Sequence, residues 1–142
     1  GILLSQDVDI YEGETAAETV VRMLQNNGYS VDYTGNYETG FYLARISSES
    51  NFVTGNIPED LKTKLEEHGF EIYDFTPNSL GDYDFTKGSG WMYQVNGVYP
   101  NYGLSDYCFQ NGDTLRLRFT LAYGADIGQD MTGGSDNWGY EW

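Results

Sequence analysis

Gly88 to Gly103 reads GSGWMYQVNGVYPNYG. The fold turns on its centre. Asn96-Gly97 sits between Val95 and Val98, so two residues that tolerate positive φ lie between two β-formers. That is the strongest short-range signature of a hairpin with a type I′ turn. The spacing predicts a strand over Trp91–Val95 and a return arm at Val98–Tyr99. Downstream, FQNGDTLRLRFTLAY predicts a longer strand launched by Asn111-Gly112-Asp113. Leu115, Leu117, Phe119 and Leu121 share one face; Thr114, Arg116, Arg118 and Thr120 share the other. One face is expected to be buried and the other wet.

Working back from the hairpin, the elements change period. Val8 and Ile10 alternate with Asp7, Asp9 and Tyr11, which predicts a short first strand. Thr15 with Glu18 makes a capping box, so a helix is expected from about Thr15. Ala17, Val21 and Leu24 give it one apolar stripe, widened by Val20 and Met23. Gly28 stands where a left-handed C-terminal cap is wanted. A second strand is expected around Phe41–Ile46. A short helix follows, with Pro58 in its first turn, Leu61 and Leu65 as its buried pair, and Gly69 at its end. Phe70–Phe75 alternates and reads as a strand. Residues 76–90 read as a long connection rich in turn residues. The final Gly-rich, acidic stretch reads as a tail or linker, which divides the chain into a domain over 1–128 and a tail over 129–142.

Composition narrows the function classes. At 142 residues the chain suits one domain with a core that needs no disulfide staples. A formal charge of −15, from 22 acids against 7 bases, makes nucleic acid and anionic membrane surfaces poor partners. No apolar run approaches the ~20 residues that cross a bilayer. Ile2-Leu3-Leu4 is too short for a signal peptide. Gly rather than Met at position 1 reads as the start of a processed or trimmed piece. One Cys and one His exclude an intrachain disulfide and an ordinary Cys/His zinc site. Thirteen Tyr and 18 Gly against three Lys suggest an exported, cell-surface protein.

The aromatics around the turn carry the functional question. Under one reading Trp91 and Tyr93 pack inside and Tyr99 covers them. Under the other, Tyr99, Tyr102 and Tyr107 form a stacking platform, with Asn96 and Asn101 supplying hydrogen bonds at its rim. Other candidates read as structural. His68 lies in the last turn of a helix, and Cys108 reads as a buried small hydrophobe. Gly88-Ser89-Gly90 lacks the leading Gly of a nucleophile elbow and reads as a flexible approach to Trp91. Asp82, Asp84, Asp126, Asp130 and Asp136 read as solvated acids. A glycosidase built on two of them would need a carboxylate spacing of about 5 to 9 Å. No cofactor and no metal site is expected, and the chain is not expected to be an enzyme.

The run from Gly88 to Gly128 resembles the core of the transcobalamin C-terminal-like domain family. In bacteria this is a module of undefined function in exported Gram-positive proteins. The resemblance rests on Ser89-Gly90-Trp91-Met92-Tyr93, the Val95-Asn96-Gly97 turn, Leu104-Ser105-Asp106-Tyr107 and Asn111-Gly112-Asp113-Thr114. EGETAAETVVRML matches the family's opening strand-to-helix step, and the resemblance spans about Val8 to Gly128. It implies an α+β, β-grasp-like fold: a mixed sheet packed on one main helix, with a second short helix and a β-hairpin. In vertebrate cobalamin carriers the related domain closes over the corrinoid beside an α/α barrel. By that analogy Trp91, Tyr93, Asn96 and Leu104 face a ligand. The chain itself lacks the barrel, and with it half of the carrier's site.

The combined expectation is a non-catalytic module of a larger exported surface protein, joined to other domains of the parent chain. It would bind a corrinoid, a glycan or a protein. The alternative is a structural spacer or adhesin stalk unit without a small-molecule ligand.

Overall fold

The computed structural model describes residues 2–8, 10–53, 56–100 and 102–128. In chain order these form β1 (Ile2–Asp7), α1 (Ala16–Asn26), β2 (Ser30–Thr34), β3 (Tyr42–Ser47) and α2 (Glu59–Glu67). Then come β4 (Ser79–Gly81), β5 (Gly90–Val95) and β6 (Thr114–Thr120), with short 3₁₀ turns at Leu104–Asp106 and Ala125–Ile127. The α+β class holds. The strands form two antiparallel three-stranded sheets, ordered β1-β6-β5 and β2-β3-β4.

α1 is built as its sequence dictates. The Thr15 hydroxyl caps it by accepting the Glu18 N–H at 3.4 Å. At the other end Gly28 takes φ +86°. The Tyr29 N–H then returns to the Leu24 carbonyl and the Gly28 N–H to that of Gln25, a Schellman closure. Ala17, Val20, Val21 and Leu24 pack into one core with Leu4, Phe41, Leu43, Leu115 and Leu117. Burying each such leucine contributes roughly 1.5–3 kcal/mol. α2 supports a second core, where Leu61 and Leu65 meet Phe85, Phe119 and Leu121.

The Asn96-Gly97 turn forms with φ +52° and +82°, both left-handed, as a type I′ turn requires. Val95 and Val98 exchange both backbone hydrogen bonds, at 2.8 and 3.0 Å. The return arm ends there as a single bridge rather than a strand. β6 takes the place beside β5, with Trp91 opposite Phe119 and Tyr93 opposite Leu117.

Five further strand expectations change, the first being that residues 76–90 are not all connection: Ser79–Gly81 forms β4 by pairing with β3. β1 begins at Ile2, not around Val8, because Leu4 is the residue that reaches the core while Ile10 stays exposed. β2 is an added strand whose residues are mostly exposed, so it carries no alternating core signal. Phe70–Phe75 forms no strand. Its alternation serves local contacts instead, such as Phe75 stacked on Phe85 at 4.9 Å. The far face of β6 is not wet along its length, since Arg118 is only 1% exposed and Thr120 is buried too.

The approach to Trp91 is packed rather than flexible. Gly88 and Gly90 are buried, and the Ser89 hydroxyl donates to the Thr86 carbonyl at 3.0 Å. A Cβ on Gly88 would stand 2.7 Å from the Phe70 ring. Cys108 is exposed, not buried. In the extended segment there Phe109 turns into the core and Tyr107 is half-buried, so the residue between them points out. His68 caps the end of α2, where the sequence puts it.

Candidate binding cleft

β5 is one of the two edge strands of its sheet, and β4 covers β3 only from Arg45 to Ser47. The two sheets are clasped by Trp91. Its indole N–H donates to the Leu80 carbonyl at 3.0 Å, and its ring meets Phe119 edge-on at 5.0 Å. Beside this clasp lies a cleft of about 440 Å³. Phe41, Tyr42 and Leu43 form one wall and Trp91, Met92 and Tyr93 another, with Leu117 behind. Tyr99, Pro100, Tyr102, Gly103 and Leu104 close it from the loop that follows the turn.

The walls are fixed by hydrogen bonds that turn polar groups away from the space. The Tyr42 hydroxyl donates to the Asp82 carboxylate, lying 2.7 Å from each oxygen. The Tyr93 hydroxyl donates to the Tyr102 carbonyl at 2.6 Å, which ties β5 to the loop. The Tyr99 hydroxyl donates to the Ile127 carbonyl at 2.6 Å and accepts from the Arg118 guanidinium at 3.1 Å. Burial pushes the Tyr42 and Tyr93 phenols well above the ordinary value of 10. The Asp82 carboxylate adds to the shift at Tyr42; charges at Tyr107 and Asp106 add to it at Tyr93. Tyr99 is raised by burial while Arg118 opposes the rise. All three stay neutral phenols at physiological pH.

The candidates from sequence divide between this cleft and its surroundings. Trp91, Tyr93, Tyr99, Tyr102 and Leu104 come together as lining. Asn96 does not line it: its side-chain oxygen accepts the Thr114 N–H at 2.9 Å and its amide donates to Asp113, locking the turn to β6. Tyr107 sits in an aromatic cluster with Tyr93 and Phe109, with centroids 6.1 and 5.5 Å away. Asn101, Asp130, Asp136 and the tail over 129–142 lie outside the described residues. The two readings of the aromatics therefore merge. Trp91 is a packed clasp and Tyr99 a tether, and both still show a side to the cleft. Only Tyr102, 61% exposed, stands as a loop ring.

The acids correct an expectation. Asp84 is not a solvated acid: it pairs with Arg45 at 2.8 Å and accepts the Gly81 N–H. Asp126 is wholly buried, accepting from the Thr120 hydroxyl and from the Leu121 N–H. Asp82 is engaged by Tyr42. The lining residues missed from sequence are Phe41 just before β3 and Tyr42 and Leu43 on it, with Met92, Pro100 and Leu117. Those on β3 carried a strand signal, but nothing local announces that this strand faces β5.

Residues 65–120 match the model of a family described as a domain of unknown function, DUF4430, a transcobalamin-like C-terminal family. The match runs from the end of α2 to the end of β6. It takes in the β5 and loop walls of the cleft but not the β3 wall, and it is narrower than the resemblance from Val8 to Gly128. No curated protein and no solved structure matches the chain.

Proposed function

We propose that this chain is a non-catalytic binding module of a larger exported cell-surface protein. It takes an apolar or aromatic group of its partner into the cleft between β3 and β5. The observation that carries this reading is the cleft itself. About 440 Å³ lies between aromatic walls and within the range of ligand pockets, with the hydroxyls of Tyr42, Tyr93 and Tyr99 already satisfied by the protein. Such a surface gains by excluding water and offers no group placed to transform what it holds. The strong acidity and the Tyr- and Gly-rich, Lys-poor composition support the surface assignment.

The test is an amide NMR titration of the whole chain with indole, and in parallel with a cobalamin for the corrinoid reading drawn from the family. Indole is expected to shift Phe41–Leu43, Trp91–Tyr93 and Tyr102–Leu104 together. Tyr102→Ala should weaken it several-fold while stability changes by less than about 0.5 kcal/mol, as at other exposed sites. Shifts scattered over the surface, or none, would remove the cleft as a site. An unchanged cobalamin spectrum would remove the corrinoid.

A further inference from the structure

The cleft is not confined to one sheet face: Leu117 on the central strand floors it, and the space also reaches round the edge of β5. Consecutive residues of a strand point to opposite faces, yet Trp91, Met92 and Tyr93 all line it. A space touched by three residues in a row runs along the strand's edge. The backbone of β5 shows what that edge offers. The Asn96 N–H donates to the Thr114 carbonyl, so by antiparallel alternation Gln94 and Met92 turn their amide groups to β6. Val95, Tyr93 and Trp91 turn theirs outward. Those of Val95 are taken by Val98. The outward N–H and C=O of Trp91 and Tyr93 face the slot.

The side chains narrow the ligand further. Among the described lining residues there is no amide, acid or base. The hydroxyls of Tyr42, Tyr93 and Tyr99 and the indole N–H are all engaged within the protein. A glycan would find the Tyr102 hydroxyl and little else to satisfy its many polar groups. What remains is an apolar space beside a row of strand hydrogen-bonding groups, and that combination fits a peptide. Charge selects among peptides. The chain carries −15, Asp82 stands behind Tyr42 at one end, and Asp106 ends the short 3₁₀ turn that begins at the lining residue Leu104.

We propose that the slot binds an extended, basic peptide segment by strand addition to β5, with one apolar side chain seated in the cleft and Lys or Arg flanking it. The proposal rests on the cleft being a binding site and names its ligand class. The Tyr42 hydroxyl lies 3.8 Å from where a Cβ on Gly90 would stand, which closes the slot at that end. The peptide therefore pairs only with Trp91 and Tyr93, between Tyr42 at one end and the Val95–Val98 bridge at the other, and leaves the strand beyond them.

The experiment titrates the whole chain with acetyl-Lys-Val-Phe-Val-Lys-amide, with its copies N-methylated at alternate amides, with the Glu-flanked analogue, and with indole. Saturable shifts at the Trp91 and Tyr93 amides are expected. Methylating one alternate set should weaken binding about tenfold, and the other set hardly at all. The Glu analogue should bind at least about tenfold more weakly at low salt. Equal effects of both methylation sets would overturn strand pairing, and equal binding of the Glu peptide would overturn the basic preference. If indole shifts the cleft but no peptide saturates by about 1 mM, strand addition falls and the cleft stands. If neither binds, both fall.

Discussion

The hydroxyl of Tyr99 does two jobs, and Tyr99→Phe removes both while leaving the ring in the cleft wall. It donates to the Ile127 carbonyl at 2.6 Å and accepts from Arg118, which is 1% exposed. A neutral hydrogen bond is worth about 1 kcal/mol net, and one to a charged group about 1.5–3. The Arg118 guanidinium keeps the Ile127 carbonyl at 3.0 Å, so its charge is not stranded and the lower end of that range applies. The expected loss is about 2 kcal/mol. For a chain of 142 residues that corresponds to a Tm drop of about 5–8 °C. Urea unfolding followed by tryptophan fluorescence and circular dichroism gives the number, with an unchanged m-value showing that the folded and unfolded ensembles are otherwise the same. Tyr102→Phe, on an exposed ring, is the control and should stay within about 0.5 kcal/mol. A cycle with Arg118→Met should return a coupling of about 1 kcal/mol. If Tyr99→Phe is as stable as the parent, the tether has been misassigned and Tyr99 is only a wall.

Three further outcomes follow from named contacts. Tyr42 and Tyr93 hold their protons above the ordinary value of 10, so above that pH the unfolded chain loses protons that the folded one keeps, and stability falls as pH rises; urea midpoints flat between about pH 9 and 12 would contradict this. Gly88→Ala forces a methyl against the Phe70 ring at 2.7 Å and the Leu121 carbonyl at 3.2 Å, and should cost about 1–3 kcal/mol by thermal unfolding. Tyr83 holds φ +68° while 71% exposed, so Tyr83→Gly should raise stability by about 0.5–1 kcal/mol; a loss would mean its ring makes an energetically important contact.

What sequence made legible was local. Thr15, Glu18 and Gly28 mark α1 because caps and left-handed residues act within a few positions. Asn96-Gly97 marks the turn for the same reason. Leu115, Leu117 and Phe119 mark β6 because a buried strand face must alternate. What stayed hidden depends on partners far along the chain. β2 is mostly exposed and earns its place by pairing with β3, which no alternation records. Arg118 stands at a position that alternation assigns to solvent, and it is buried because the turn around Ile127 folds over it. The cleft splits the same way. Its β5 and loop rings were legible as an aromatic concentration around one turn. The β3 wall was not, since only the tertiary path brings Phe41–Leu43 opposite Trp91–Tyr93.

The Val95–Val98 bridge explains why the cleft exists at all. Had the return arm continued as a strand beyond Val98, it would have paired with the outward groups of Tyr93 and Trp91 and filled the space. Instead the loop swings out after the turn, and the Tyr93 hydroxyl holds it off by gripping the Tyr102 carbonyl rather than letting it pair. The Tyr99 tether to Ile127 fixes the other side. The open edge is thus maintained by specific hydrogen bonds, and it stays short because the Val95–Val98 bridge covers its end, one of the ways folded chains limit edge-to-edge pairing. It follows that Tyr93→Phe should loosen the loop more than it weakens the core. Amide exchange should quicken around Tyr102–Leu104 while β6 keeps its protection. Equal acceleration across β6 would mean that the hydroxyl stabilises the sheet as a whole, and the loop would then need another explanation for standing clear of the strand.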